Sequence, residues 1–189
     1  MPITLIAGLG NPGSRYVDTR HNAGFWFLDQ LAQQANESFR NNDKFYGDIC
    51  KINSCWLLKP NTFMNLSGKS IAALANFYKI PAEQILVIHD ELDFPVGTIR
   101  LKKGGGDGLH NGLKDIIAKL GSRNFLRLRI GIGHPGHSSK VTNYVLNKPT
   151  IDDQIAIDHV INSALKEMPL IMAGELNQAM QVLHSLNLP

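Results

Sequence analysis

His21 is the side chain in this sequence best suited to accept a proton near neutral pH, and it stands between a glycine-rich stretch and an apolar, helix-like run. Other polar residues occupy comparable junctions. Asn11 follows the first apolar run, Asn65 precedes a second helical pattern, Asp90 follows Ile85–His89, and Asn111 opens a third helical pattern. A carboxylate on one imidazole nitrogen fixes the tautomer and stabilises the imidazolium as it forms. Asparagine amides donate to a carbonyl oxygen or a developing oxyanion without adding charge. No G-x-S-x-G elbow is present, and neither Cys50 nor Cys55 has a histidine positioned nearby. Water is then the nucleophile this set implies, and the chemistry is hydrolysis. The residues alone leave a plainer alternative open, in which His21 merely caps or packs at a helix start.

Two glycine motifs invite a nucleotide reading. Gly8-Leu9-Gly10-Asn11-Pro12-Gly13 matches the dinucleotide fingerprint G-x-G-x-x-G, which needs a helix starting inside the motif so that free N–H groups meet the pyrophosphate. Pro12 removes one donor, and the helical pattern begins only near Asn22. Asp29, at the distance of a ribose-binding acid, falls inside that helix. Gly68-Lys69-Ser70 has the tail of a P-loop, but Phe63 stands where its first glycine is required. Metal ligation is a further alternative, with His89, Asp90, His110, His134 and His137 as donors. No H-E-x-x-H or cysteine pair with zinc spacing accompanies them, and no metal is expected.

The elements that must position these residues follow from periodicity. Ile3–Leu9 reads as a buried strand. Asn22 is a plausible N-cap for a helix with Gly24, Phe27, Leu28, Leu31, Ala32 and Ala35 on one face. Phe45–Cys50 and Cys55–Lys59 form a strand pair across Asn53-Ser54. Ser67 is placed to cap a helix carrying Ile71, Leu74, Ala75 and Tyr78, stopped near Pro81. Ile85–His89 and Gly97–Lys103 are further strands. Leu113, Ile116, Ile117 and Leu120 define a helix closed by Gly121. Phe125–Ile132 alternates apolar residues with Arg127 and Arg129, a strand with one polar face. The pattern from Ile151 onward is helical. Strands alternating with helices predict an α/β fold, a single domain over residues 1–189, with a twisted, mostly parallel (mixed) sheet covered by helices on both faces.

Composition narrows the class. The chain has 189 residues, 43% hydrophobic and 19% charged, enough for one domain with a sizeable core. No run approaches the ~18 apolar residues of a membrane helix, and no basic region precedes the first apolar residues, so neither membrane nor signal peptide is expected. Two cysteines suit a reducing cytoplasm. The net charge of +3 is uneven: Gly97–Arg129 carries eight Lys/Arg against Asp107 and Asp115, a net +6, which leaves the remainder at −3. Such a stretch is a solvated face or a surface for a phosphate-bearing partner.

In this order and spacing the segments resemble the bacterial peptidyl-tRNA hydrolase family. The resemblance rests on Gly8–Gly13, Tyr16, Thr19-Arg20-His21-Asn22-Ala23-Gly24, Lys59–Gly68, His89-Asp90-Glu91-Leu92-Asp93, His110-Asn111-Gly112-Leu113-Lys114 and Arg127–Pro135, nearly the whole chain. It implies a cytoplasmic monomer, without cofactor or obligate protein partner, that hydrolyses the ester between a peptide and the 3′-terminal ribose of tRNA. It implies catalytic roles for His21 as the base activating water, Asp90 as its support, and Asn11, which distinguishes peptidyl from free aminoacyl substrates near the blocked amine. Tyr16, Phe63, Met64, Asn65 and Asn111 match substrate-binding positions, and Arg100, Lys102 and Arg129 match contacts to tRNA phosphates near the acceptor stem and 3′ end. The chain departs from the family in its glycine loop, where Leu109 replaces a small residue and Asp107 adds a negative charge. An RNA-binding module without catalysis shares the basic segment, and an assay of hydrolysis separates the two.

Overall fold

The structure, a computed structural model, describes residues 1–186; residues 187–189, the end of the expected domain, lie outside the described residues. Seven strands, β1 (Leu5–Gly8), β2 (Arg40–Asn42), β3 (Gly47–Ile52), β4 (Cys55–Pro60), β5 (Ile85–Glu91), β6 (Ile99–Lys103) and β7 (Leu126–Gly131), form one sheet in the order β2-β3-β4-β1-β5-β7-β6. The β1–β4, β1–β5 and β5–β7 pairs are parallel, and β2–β3, β3–β4 and β6–β7 antiparallel. Five of the seven strands therefore share one direction, as the alternation of strands and helices predicts.

Period-2 alternation assigns each strand residue to a face. Ile6, Leu86, Ile88 and Leu128 pack with Phe27 and Leu28 of α1 (Ala23–Gln34), with Val160, Ile161 and Ala164 of α5 (Ile151–Ala173), and with Leu183 of α6 (Leu176–His184). Leu5, Ala7, Ile85 and Val87 point the other way, onto Ile71 and Leu74 of α2 (Ser67–Phe77) and Leu113 and Ile116 of α3 (Asn111–Leu120). Helices thus cover both faces. Gly121 ends α3 in the left-handed conformation, φ 69°, its N–H on the Ile117 carbonyl, as the sequence predicts. No helix of the described residues is long and apolar enough to cross a membrane.

Several local expectations are corrected. Asn22 occupies the N-cap position of α1, but its side chain makes no cap bond; a 3-10 turn, Arg20–Asn22, precedes the helix and the Asn22 amide is used elsewhere. Ser67 is the first residue of α2 rather than its cap, and its hydroxyl donates to the Met64 carbonyl at 2.7 Å. Phe45 lies in a 3-10 turn and fills the core, so β3 starts later than its apolar content suggests. The β7 face carrying Arg127 is not a solvent face: Arg127 is buried beneath the glycine loop, with its guanidinium on the Gly105 and Gly106 carbonyls. Neither β2 nor the short α4 (Val141–Val145) carries an apolar period that would reveal it.

The start of α1 is seated directly on the sheet backbone. A Cβ on Gly24 would lie 2.3 Å from the Ile88 carbonyl oxygen and 2.4 Å from Leu9 N, and one on Gly8 would lie 2.4 Å from the Gly24 oxygen. Only glycine permits that approach, so Gly8 of the apparent nucleotide loop serves helix-to-strand packing, while Gly13, with φ 98° and nothing near the place of a Cβ, serves the turn. Gly24→Ala should cost about 1–3 kcal/mol by overpacking. At roughly 2–4 °C per kcal/mol for a chain this size, calorimetry should show the Tm falling by several degrees.

Candidate active site

The close seating of α1 puts the turn before it over the carboxyl ends of β1 and β5, where ligands of open α/β sheets bind. Arg20 fixes that turn. Its N–H donates to the Asn147 carbonyl at 3.1 Å, and its guanidinium donates to the Tyr144 carbonyl at 2.9 Å while lying 3.9 Å above the Tyr144 ring. Between these anchors His21 reaches back to the strand. Its Nδ1 lies 2.9 Å from Oδ2 of Asp90, which is 2% exposed at the end of β5.

The other carboxylate oxygen is held by His110, which the sequence offered only as a possible metal donor. Nε2 of His110 lies 2.9 Å from Asp90 Oδ1, and His110 Nδ1 accepts the backbone N–H groups of Gly112 and Leu113 at 3.1 and 3.3 Å. His110 is therefore the N-cap of α3. An atom that accepts two backbone N–H groups must present its lone pair, so the ring proton sits on Nε2 and is donated to Asp90. Serine, threonine, aspartate and asparagine are the usual caps. A histidine there gives no capping signal by residue type, so its role beside Asp90 was missed, although His110 itself was named as a possible ligand.

Asn11 is held as firmly. Its N–H donates to Asn22 Oδ1 at 2.8 Å, and Asn22 Nδ2 donates to the Asn11 carbonyl at 2.9 Å. The Asn11 Oδ1 accepts the Met64 N–H at 2.7 Å. With its oxygen engaged there, the group Asn11 offers the cleft is its Nδ2 donor.

Asn11, His21, Asp90 and His110 line a cleft of about 240 Å³, together with Phe63, Met64, Asn65 and Asn111. Tyr16 stands behind this wall, edge-on to Phe63 with ring centroids 6.3 Å apart. Leu92, Gly108, Leu109, Val141, Val145 and Leu146 complete the lining. A cleft below the ~300–1,000 Å³ that encloses a drug-sized ligand takes only the end of a large substrate. Lys102, Arg127 and Arg129 line a neighbouring groove together with Asp93 and Asp107, and it shares Glu91 and Gly108 with the cleft. Arg100 lies further off, its guanidinium donating to the His184 carbonyl of α6 at 3.0 Å.

Burial disfavours the charged form of His21, but the charge and hydrogen bond of Asp90 outweigh it and hold the imidazole pKa above its ordinary value. Burial also pushes Asp90 up, and the two imidazoles prevail, holding the carboxyl well below the usual carboxylate range. His89 is different. Wholly buried, with Nδ1 2.7 Å from the Asp90 carbonyl, it is pushed down to about 3, mainly by burial, and stays neutral. It belongs to the frame of β5 and does not reach the cleft as a ligand. His134 and His137 are exposed and bond within their own turns.

His21, Asp90 and His110 offer donor atoms within 4.8 Å of one another, a spacing a metal could use. The helix cap on His110 argues for protons instead, because it places N–H, not a lone pair, against Asp90. The cysteines supply no nucleophile. Burial pushes Cys50 up to about 11 and Cys55 up to about 12, and both lie in the β3–β4 pair, outside the cleft lining. An NMR titration of the His21 ring should give a midpoint above 6.5. In Asp90→Asn the burial is unopposed and the midpoint should drop below 6.5; an unmoved titration would contradict this pairing.

Comparison with known proteins gives one result. The model of the peptidyl-tRNA hydrolase family matches residues 5–188. Peptidyl-tRNA hydrolase of Coxiella burnetii is 57% identical over 183 residues, 97% of this chain and 98% of the relative. That of Neisseria meningitidis serogroup A is 54% identical over 187 residues, 97% of each chain. The crystal structure of peptidyl-tRNA hydrolase from Acinetobacter baumannii superposes with a TM-score of 0.94 at 47% identity, covering 98% of this chain and 96% of that one. The fold, the cleft and these similarities agree: the chain belongs to the peptidyl-tRNA hydrolase family, whose function is the hydrolysis of peptidyl-tRNA.

Proposed function

We propose that His21 is the general base that activates water against the ester linking a peptide to the 3′-terminal ribose of tRNA. The observation that carries this reading is the Asp90 carboxylate held between two imidazoles, only one of which faces the cleft with a free nitrogen. His21 donates from Nδ1 to Asp90, and its Nε2 has no partner among the described residues. That nitrogen takes a proton from water as the oxygen attacks the ester carbonyl. Asp90 stabilises the imidazolium so formed. Collapse of the tetrahedral intermediate expels the ribose 3′ oxygen, which takes the proton back from Nε2. The neutral amides of Asn65 and Asn111 supply donors for the carbonyl and the oxyanion. An ester has a far better leaving group than an amide, so this equipment is sufficient.

The orientation of Asn11 supports a role in selectivity. Its Nδ2 presents hydrogens, which suit the carbonyl of a blocked amine. The ammonium of a free aminoacyl group would meet donor against donor and remain unpaired, a cost a site can use for discrimination. Phe63, backed by Tyr16, and Met64 complete the substrate wall. Lys102 and Arg129 in the adjacent groove, with Arg100 beyond them, suit the phosphates of the acceptor stem and 3′ end.

His21→Ala should fold normally and lose roughly 10²–10⁴ in kcat, the usual contribution of a general base. Single-turnover hydrolysis of a blocked aminoacyl-tRNA measures it, and a variant that keeps most of its rate would remove His21 from the role. Binding of tRNA should weaken with salt. Lys102→Ala should lower the slope of log affinity against log salt by about 0.7–0.9, one phosphate contact; a slope equal to that of the unaltered protein would exclude Lys102 from the phosphate path.

A further inference from the structure

Leu109 is the residue at which the glycine loop departs from a small side chain, and the structure places it in an unusual state. Its φ is 65°, in the left-handed region where a branched side chain costs about 1–2 kcal/mol, and it is 95% exposed. A glycine would remove both penalties. Strain held at a cleft rim by its surroundings is a mark of function, and here the surroundings hold it on both sides. The Leu109 N–H donates to Asp107 Oδ1 at 2.9 Å, the His110 N–H donates to the Asp107 carbonyl at 2.9 Å, and Arg127 clasps the carbonyls of Gly105 and Gly106. His110, next in the chain, is fixed by Asp90 and by α3. The leucine is therefore presented to the cleft on a pinned backbone, and little ordering remains to oppose a contact with it.

Charge decides which part of the substrate meets it. The cleft is lined by Asp90 and Glu91 and by no lysine or arginine among the described residues, whereas the neighbouring groove sets Lys102, Arg127 and Arg129 beside Glu91, Asp93 and Asp107. A cleft with two carboxylates and no cation in its lining disfavours phosphate and suits the uncharged peptide. Gly108 lines both, and Leu109 lines the cleft alone. Leu92, Val141, Val145 and Leu146 line the same cleft, aliphatic side chains that offer no plane for a base to stack on, and Phe63 is the one aromatic ring in the described lining besides the two histidines.

We infer that Leu109 is a specificity residue. With these aliphatic side chains it forms an apolar subsite for the side chain of the peptide residue that precedes the esterified one. The inference rests on the proposed reaction and refines it, since it names the part of the peptide the enzyme reads. The selectivity is modest, because the rim is open and a single apolar contact in a pocket is worth roughly tenfold at the lower end of its range.

The test uses the full chain and two tRNAs that carry N-acetyl-leucyl-glycine or N-acetyl-seryl-glycine esterified through the glycine. The unaltered enzyme should favour the leucyl substrate in kcat/KM by up to roughly tenfold. Leu109→Ala, which keeps a Cβ on the left-handed backbone, should bring the ratio close to one, chiefly through KM. Leu109→Gly, which releases the strain as well, should do the same. A ratio that stays as it was in both variants, an equal loss on both substrates, or an unaltered enzyme with no preference would each overturn the subsite while leaving the reaction in place. An unaltered enzyme that hydrolyses neither substrate would overturn the reaction and the subsite together.

Discussion

A carboxylate at 2% exposure cannot remain ionised unless its surroundings replace the water it has lost, and much of this structure supplies that replacement for Asp90. One oxygen takes the Nδ1–H of His21 and the other the Nε2–H of His110. Each imidazole is in turn fixed by backbone. The His21 turn is anchored through Arg20 to the chain around α4, and His110 is locked by the N-terminus of α3. A charge on β5 thus ties helices from both faces of the sheet to one point.

The two histidines are not equivalent, and the asymmetry is what makes the arrangement useful. His110 gives its lone pair to the helix N-terminus and its proton to Asp90, so neither nitrogen is left for the substrate. His21 gives only a proton and retains a free nitrogen on the cleft side. The helix start, with its unpaired N–H groups and positive end, selects the tautomer of one ring and leaves proton transfer to the other. A conventional cap such as serine would satisfy the same N–H groups but leave Asp90 Oδ1 without its donor.

Much of the fold was legible because burial imposes periodicity. The runs Ile85–His89 and Ile71, Leu74, Ala75 could be assigned from spacing alone, since two buried sheet faces and one buried helix face leave few alternatives. The chemical pairing of His21 with Asp90 was reachable only as a convergence of residues at strand and helix ends, sharpened by family resemblance. What stayed hidden depends on contacts far apart in sequence. Asn22 reads as a cap because its type and position suit one, yet its amide is taken by Asn11. Arg127 reads as the polar side of a strand because nothing local reveals that Gly104–Gly106 will fold over it and present carbonyls. The role of His110 requires knowing both that a helix begins at Asn111 and that β5 ends beside it.

The glycine stretch Gly8–Gly13 shows how a motif can be right in form and unrelated in purpose. In a dinucleotide site the loop brings backbone N–H groups toward a pyrophosphate. Here those groups are spent inside the protein: the Leu9 N–H goes to the Ile88 carbonyl at 3.0 Å and the Asn11 N–H to the Asn22 side chain. The close packing that glycine allows is used to lower α1 onto β1 and β5, which brings the turn before α1 within 2.9 Å of Asp90. A Cβ at Gly8 or Gly24 would lift that turn and lengthen the His21–Asp90 bond before it touched any residue of the cleft. The chemistry is therefore constrained at a distance, by the absence of two methyl groups beneath a helix.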